Sequence, residues 1–252
     1  MRVRLDQLIV ELGLAESRSR AQALLIGGRV RVGEGDAARL DRKAGDLVEP
    51  GATVVEVVSR EPYVSRGGHK LAAALDAFGI EPDGRICLDV GASTGGFTDV
   101  LLQRGARRVY ALDVGRGQLA EALRRDSRVV SMERFNARDL RADSLPEPVS
   151  LATVDVAFIS LRLVLGPIAS AFGSPGGDLV ALVKPQFEAG RSEVKGGVVR
   201  DAAVHERVVR EVAEHASGLG LDPLGSIPSP LLGPEGNREF LLRLRVPARP
   251  AA

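Results

Sequence analysis

The chain of 252 residues holds a single cysteine, Cys87, and three histidines. One thiol excludes an intramolecular disulfide and cannot build a cysteine-based zinc site by itself. His69, His205 and His215 lack the spacing of a ligand set, so no metal is expected. Long apolar runs are also missing: no stretch approaches the roughly eighteen residues that a membrane span needs. The start, MRVRLDQLIVELGL, is charged and amphipathic, without a signal-peptide core or a small-residue cleavage site. The expectation is a cytoplasmic monomer with no membrane partner. Neither sign of charge dominates, with 34 Lys and Arg against 33 Asp and Glu. Any nucleic-acid binding must therefore come from local patches rather than from the global field. The length suits one sizeable core plus a small extra module.

The first sixty residues differ in pattern from the rest. RLDQLIVELGL sets Leu5, Leu8, Ile9 and Leu12 on one helical face, with Gly13 as the stop. Ser17 can cap a second helix, SRSRAQALLIGG, whose apolar stripe is Ala21, Leu24 and Leu25 and whose end is Gly27-Gly28. RVRV reads as a short strand, and a turn-rich stretch leads through GDLVEPGATVVEVV to a further strand pair. Arg18, Arg20, Arg29 and Arg31 fall near the helix-to-strand corner. Arginines on a solvated face are ordinary, so the pattern leaves them either solvated or phosphate-binding.

RLDQLIVELGLAESRSRAQALLIGGRVRV resembles the S-four-like RNA-binding domain across both helices and the following strand. The resemblance implies a small α+β module over residues 1–59 that grips folded RNA mainly through phosphates, with Arg4, Arg18, Arg20 and Arg29 as contacts. Residues 60–63 of SREPYV form a short linker, where Pro62 discourages helix.

Over residues 64–252 the chain alternates helical and strand patterns. KLAAALDAFG, FTDVLLQRGA, QLAEALRRD and the stretch about Ala203 to Leu219 read as helices. ICLDV, VYALDVG, VVSM, VSLATVDVAFISL, DLVALVKPQ and a closing pair ending in EFLLRLRV read as strands. This implies an α/β, Rossmann-like domain, a mostly parallel sheet with helices on both faces. Ligands of such sheets bind at the carboxyl ends of the strands.

LDVGASTGGFTD is the first such end. Its glycines at 91, 95 and 96 permit a sharp turn and close approach of a ligand. The order, Asp89 followed by G-x-x-x-G-G, is not the G-x-G-x-x-G dinucleotide fingerprint. Asp113 ends the next strand, at the usual distance for a carboxylate that binds ribose hydroxyls. A glycine loop with a ribose carboxylate and no pyrophosphate fingerprint favours S-adenosylmethionine over NAD; the bland alternative is a tight turn with no ligand. Asn136 and Ala137, in NARD after the third strand, fall where an adenine contact belongs.

Four charges stand at strand or helix ends around that loop: Lys70 in SRGGHKL, Asp155 in TVDVAFISL, Lys184 in LVKPQFE and Glu239 in GNREFLL. Pro185 keeps helix from starting at Lys184. Each charge alone has a dull explanation as a solvated group.

DVGASTGGFTD, VDVAFISL, LVKPQFE and KGGVVRD, together with SRGGHKL and the N-terminal module, resemble the TlyA-type rRNA methyltransferases, whose second domain is FtsJ-like. The resemblance spans essentially the whole chain. It implies S-adenosylmethionine-dependent 2′-O-methylation of cytidine in ribosomal RNA, of the large subunit and in some members also the small. It puts a catalytic tetrad on Lys70, Asp155, Lys184 and Glu239. Cofactor contacts fall on Asp89, Gly91, Ser93, Gly95, Gly96, Phe97, Thr98, Asp113, Asn136 and Ala137. Since that cofactor has no phosphate, SRGGHKL would present Lys70 to a ribose hydroxyl, with Arg66 and His69 holding the RNA backbone; the alternatives are a solvated linker charge at Arg66 and a satisfied core histidine at His69. Proteins of this family have also been catalogued as haemolysins, but neither a spanning segment nor a strongly basic amphipathic helix supports a lytic reading. An RNA-binding protein with an inactive fold is the other rival, and the complete tetrad speaks against it.

Overall fold

The computed structural model describes residues 2–26, 28–34, 38–39, 41–57 and 62–248. The chain forms two compact units, residues 1–62 and 63–252. Residues 60 and 61 of the expected linker, and Gly27 of the expected helix stop, lie outside the described residues.

In the first unit β1 (Val3–Arg4) leads directly into α1 (Leu5–Glu11), and α2 (Arg18–Ile26) is followed by β2 (Val30–Val32), β3 (Leu47–Val48) and β4 (Val55–Val57). Gly13, at φ +70, turns the chain out of α1. Ser17 Oγ accepts from the Arg20 amide at 3.2 Å, the cap its position suggested. Leu5, Leu8, Ile9, Leu24 and Leu25 are buried together with Val30 and Val32, whereas Leu12 lies past the end of α1 and is exposed. The sequence pattern suggested one small sheet. The structure has two antiparallel ribbons, β1 with β3 and β2 with β4. The cause is β1, two residues too short to read as a strand until Leu47 and Val48 capture them. Asp6 is fully buried and accepts from Arg4 Nε (3.0 Å) and Nη2 (3.1 Å), Arg18 Nη2 (3.1 Å) and Gln22 Nε2 (2.8 Å). The Arg4 hydrogen bond, helped by those of Gln22 and Arg18, outweighs the burial and holds its carboxyl well below the usual range.

The second unit runs α3 (Gly67–Phe78), β5 (Ile86–Val90), α4 (Gly96–Gln103), β6 (Arg108–Asp113), α5 (Glu121–Arg124), β7 (Val129–Glu133), β8 (Leu151–Val154), α6 (Leu165–Ser170), β9 (Gly177–Val183), α7 (Pro185–Glu188), α8 (Ala202–Gly218), β10 (Asp222–Pro228) and β11 (Phe240–Val246). Its seven-stranded sheet has the order β10-β11-β9-β8-β5-β6-β7. β5 to β9 are parallel, and β11 and β10 run antiparallel at one edge. Side chains alternate across the sheet: Leu88 and Val90 face one apolar core, and Cys87 faces the other. The chain reverses direction of winding at β5, between β6 and β8, which is where such sheets open a ligand crevice.

Two elements depart from their sequence patterns. QLAEALRRD forms only the single helical turn of α5. Leu119 and Leu123 instead fold over Gly95, and Ala120, extended at φ −55 and ψ 138, donates its amide to Thr94 O. β10 carries Pro223 and Pro228 and a register break at Gly225, features tolerated because it is the outermost strand.

Candidate active site

Three of the four tetrad positions follow from strand ends. Asp155 directly follows β8, and Lys184 directly follows β9. Glu239 directly precedes β11; because β11 is antiparallel to β9, with Phe240 opposite Val183, its first residue reaches the rim where the parallel strands finish. Lys70 comes from the first turns of α3. Lys184 is extended (φ −113, ψ 100), and Pro185 takes the first position of α7, so the lysine stays on the rim. The four side chains converge as two ion pairs: Lys184 Nζ to Asp155 Oδ1 and Lys70 Nζ to Glu239 Oε2, each at 2.5 Å. Glu239 is 1% exposed, and its Oε1 has no hydrogen-bond partner among the described residues. All four line one cavity of about 240 Å³, with Ser65, Gly67, Gly91, Ser93, Thr94, Gly96 and Phe97.

A second cavity of about 400 Å³ opens from the same rim and shares Gly91, Ser93 and Asp155 with the first. Asp113, Asn136, Ala137, Val114, Gln118 and the run Val156–Ile159 complete its wall. Gly91 has φ +81, and a Cβ there would lie 2.2 Å from the Asp155 carbonyl oxygen, so only glycine leaves this floor open. Asp113 accepts from the Ser93 amide (2.8 Å) and the Gly115 amide (2.7 Å), which ties the glycine loop to the end of β6 and leaves lone pairs toward the cavity. Asn136 Oδ1 accepts from the Arg138 amide and fixes the turn that carries Ala137. A walled cavity with a forced glycine floor and an acceptor carboxylate fits an adenosyl ligand.

A scan of family models matches residues 63–246 to the FtsJ-like methyltransferase and residues 3–34 to the S4 domain. The chain belongs to the FtsJ-like methyltransferase family. It is 48% identical over 245 residues to the 16S/23S rRNA (cytidine-2′-O)-methyltransferase TlyA of Mycobacterium tuberculosis, covering 97% of this chain and 90% of that protein. A solved Streptococcus thermophilus structure that carries a hemolysin name is 43% identical, with a TM-score of 0.73, covering 97% of this chain and 88% of that one. An S-adenosylmethionine dependent methyltransferase from Listeria monocytogenes shares the fold at 18% identity and TM-score 0.53, covering 72% of this chain and 99% of that one.

Within this FtsJ-like frame the glycine-loop residues divide by task. Gly91, Ser93, Asp113, Asn136 and Ala137 line the larger cavity, and Gly96 and Phe97 line the smaller. Asp89, Gly95 and Thr98 line neither. Asp89 and Thr98 are fully buried beneath the loop. Thr98 Oγ1 donates to Asp89 at 2.7 Å and Thr153 Oγ1 donates to it at 3.0 Å, so Asp89 bolts α4 and β8 to β5. Burial pushes the Asp89 carboxyl up to about 6, against the two hydroxyl hydrogen bonds that favour its charged form. Gly95 makes room for Leu119 and Leu123. In SRGGHKL, a Cβ on Gly68 would strike the Tyr63 ring at 2.4 Å, so this glycine serves packing rather than an anion. The His69 ring meets that of Tyr63 edge-on, with centroids 5.3 Å apart, and Arg66 is exposed at the start of α3.

Among the basic residues of the S4 unit, Arg4 and Arg18 are half-exposed and tied to Asp6. Arg20 is exposed, and Arg29 keeps a buried Nε without a partner among the described residues. No group of three or more His, Cys, Asp or Glu is gathered for a metal among the described residues, and no described helix is long and apolar enough to cross a membrane.

One feature of the rim was not read from the sequence. Phe158 is 91% exposed, holds φ +63 and meets the Phe187 ring with centroids 5.2 Å apart. A positive φ on an aromatic residue is an outlier of the kind that clusters at functional sites. The two rings, with Ala157, Lys184, Gln186, Gly197, Glu235 and Asn237, line a third cavity of about 380 Å³. The available signal was an aromatic residue three positions after Asp155 in VDVAFISL.

Proposed function

We propose that the chain methylates the 2′-oxygen of a cytidine in ribosomal RNA, with S-adenosylmethionine as donor. The observation that carries this reading is the convergence of two lysine–carboxylate pairs between an adenosyl-sized cavity and an aromatic one. When bound, the donor supplies an electrophilic methyl group on a sulfonium. Gly91, Ser93, Asp113, Asn136 and Ala137 would hold it, Asp113 by accepting from the ribose hydroxyls. The exposed Phe158 ring offers a stacking surface to an unpaired base, worth about 1–3 kcal/mol per base.

Lys184 is the tetrad member that lines both the catalytic and the aromatic cavity. That position supports Lys184 as the group that steers the 2′-oxygen and, once its ammonium has released a proton to solvent, takes the hydroxyl proton on the freed amine, with Asp155 fixing its rotamer. Lys70, held by Glu239, sits across the catalytic cavity and offsets the charge that develops on the oxygen. Alignment of the hydroxyl with the methyl carbon supplies the larger share of the acceleration, up to about 7–11 kcal/mol. The S4 unit grips folded RNA through Arg20 and Arg29, with the outer faces of Arg4 and Arg18 beside them, and Arg66 does so at the rim. A ribosomal substrate makes the cytoplasm the site of action. The hemolysin name belongs to a protein of the same family and fold, and nothing in the site geometry calls for membrane chemistry. The test is transfer of labelled methyl from S-adenosylmethionine to ribosomal subunits that lack the modification, followed by mapping of 2′-O-methyl positions. A new ribose methyl on a cytidine is expected; no transfer to RNA would sink the proposal.

A further inference from the structure

The aromatic cavity beside Lys184 holds few polar side chains, and their partners sort them. Lys184 is paired with Asp155. Asn237 is committed to scaffolding: its Oδ1 accepts from the Val199 amide (3.2 Å) and its Nδ2 donates to Gly197 O (2.9 Å), which pins the loop wall to the turn before β11. Two acceptors remain. Gln186 Oε1 is buried and has no hydrogen-bond partner among the described residues. Glu235 carries its carboxylate over Gly197, where a Cβ would lie 2.3 Å from Oε2. Its backbone is held at φ +58 and ψ 12, a strained conformation for a residue with a side chain. A buried acceptor without a partner carries a desolvation cost that a ligand donor removes.

We infer that Gln186 and Glu235 are specificity-determining residues that read the exocyclic amino group of the target base and so select cytosine over uracil; this rests on the ribose-methylation reading above. An exocyclic amine offers two hydrogens, and the cavity offers two acceptors. Uracil would turn its O4, an acceptor, toward the same groups. To donate to it the buried Gln186 amide would have to turn over, and the Glu235 carboxylate has no donor to offer. Acceptance from the cytosine amino group by a carboxylate is an established mode of base recognition. The rings of Phe158 and Phe187 tolerate any base face, so discrimination has to come from the edge.

The test uses the full chain and two transcripts of the ribosomal RNA segment that it methylates, with either cytidine or uridine at the modified position. The wild-type protein should favour the cytidine transcript about a hundredfold in kcat/KM, a two-contact reading of one base edge being worth roughly five- to 150-fold. Gln186→Met should lower that ratio about tenfold or more, chiefly through loss on cytidine. Gln186→Glu, which keeps an acceptor, should preserve it; a merely structural role would not separate these two variants. An unchanged ratio in Gln186→Met would overturn the inference, as would equal wild-type rates on the two transcripts. If Gln186→Met fails to bind S-adenosylmethionine, Glu235→Ala at an exposed side chain reads the same ratio, and no change there overturns it equally. Methyl transfer by the wild type to neither transcript would instead sink the function proposed above.

Discussion

Removing the Lys70 ammonium while leaving Glu239 in place puts the buried ion pair to the test. Lys70→Met keeps the stem but takes away the ammonium that binds Glu239 Oε2, and the other carboxylate oxygen has no hydrogen-bond partner among the described residues. Glu239 Oε1 already fills the space that Gly233 leaves open, where a Cβ would lie 2.1 Å from it. Stranding one member of a buried pair costs about 3–5 kcal/mol, a large part of a typical total of about 5–15. Neutralising both residues, as Lys70→Met with Glu239→Gln, should recover most of the loss without recovering methyl transfer. Urea unfolding followed by tyrosine fluorescence isolates the methyltransferase unit, since Tyr63 and Tyr110 both lie in it and the chain has no tryptophan. A Lys70→Met variant within about 1 kcal/mol of wild type would refute a buried ionic pair.

Other expectations address catalysis, pH and RNA. Lys184→Ala and Asp155→Asn should each slow single-turnover methylation by about 10²–10⁴-fold with both ligands still bound, and the double variant should fall well short of the product. Lys184→Arg should be as slow as Lys184→Ala, because a guanidinium does not give up its proton, whereas Lys70→Arg should retain part of the rate; the reverse order would make Lys70 the base. Asp89 keeps its proton when folded up to about pH 6 but loses it near 4 when unfolded. It should therefore make the protein less stable as pH rises from about 4 to 6, by a few kcal/mol, and the difference between wild type and Asp89→Asn should show that slope. A flat difference would mean that Asp89 ionises normally inside the fold. Replacing Arg20 and Arg29 with glutamine should weaken RNA binding and reduce its salt slope by roughly 0.7–0.9 per phosphate contact, leaving cofactor affinity alone; an unaltered slope would return both to the solvated surface.

The parallel core was legible because strands buried on both faces are continuous apolar runs, and ICLDV, SLATV and DLVALV are such runs, too short for helices of the usual length. The glycine loop and Asp113 were legible because turn chemistry and strand ends are local. What stayed hidden is set by partners far along the chain. Lys70 and Glu239 are 169 residues apart, and their pairing depends on the antiparallel return of β11, which no local pattern encodes. Arg4 and Arg18 looked equally available for RNA until Asp6 claimed one face of each. α5 fell short because Leu119 and Leu123 cover Gly95 rather than continue a helical stripe, a tertiary contact overriding propensity.

The two rims of the sheet explain why lysine stands at the site at all. At the amino end of β9, buried Asp178 is met by Arg85 at 2.9 Å and by Arg243 at 2.8 Å. Burial pushes that carboxyl up, but the two guanidinium hydrogen bonds outweigh it and hold it below its ordinary range. That is how this chain stabilises a charge structurally, with forked donors that never lose a proton. At the opposite end of the same strand stands Lys184, and the facing carboxylate, Glu239, is held by Lys70. Only Lys43, Lys70, Lys184 and Lys195 among the 34 basic residues are lysine. In a chain that otherwise uses arginine for its cations, two of four lysines meet in one cavity of about 240 Å³. Electrostatic neutrality alone would accept arginine there as it does at Asp178. A compact ammonium fits a cavity that must also admit a ribose hydroxyl, and it can exchange a proton, which the guanidinium cannot. The exception in composition thus falls where the proposed chemistry needs a transferable proton.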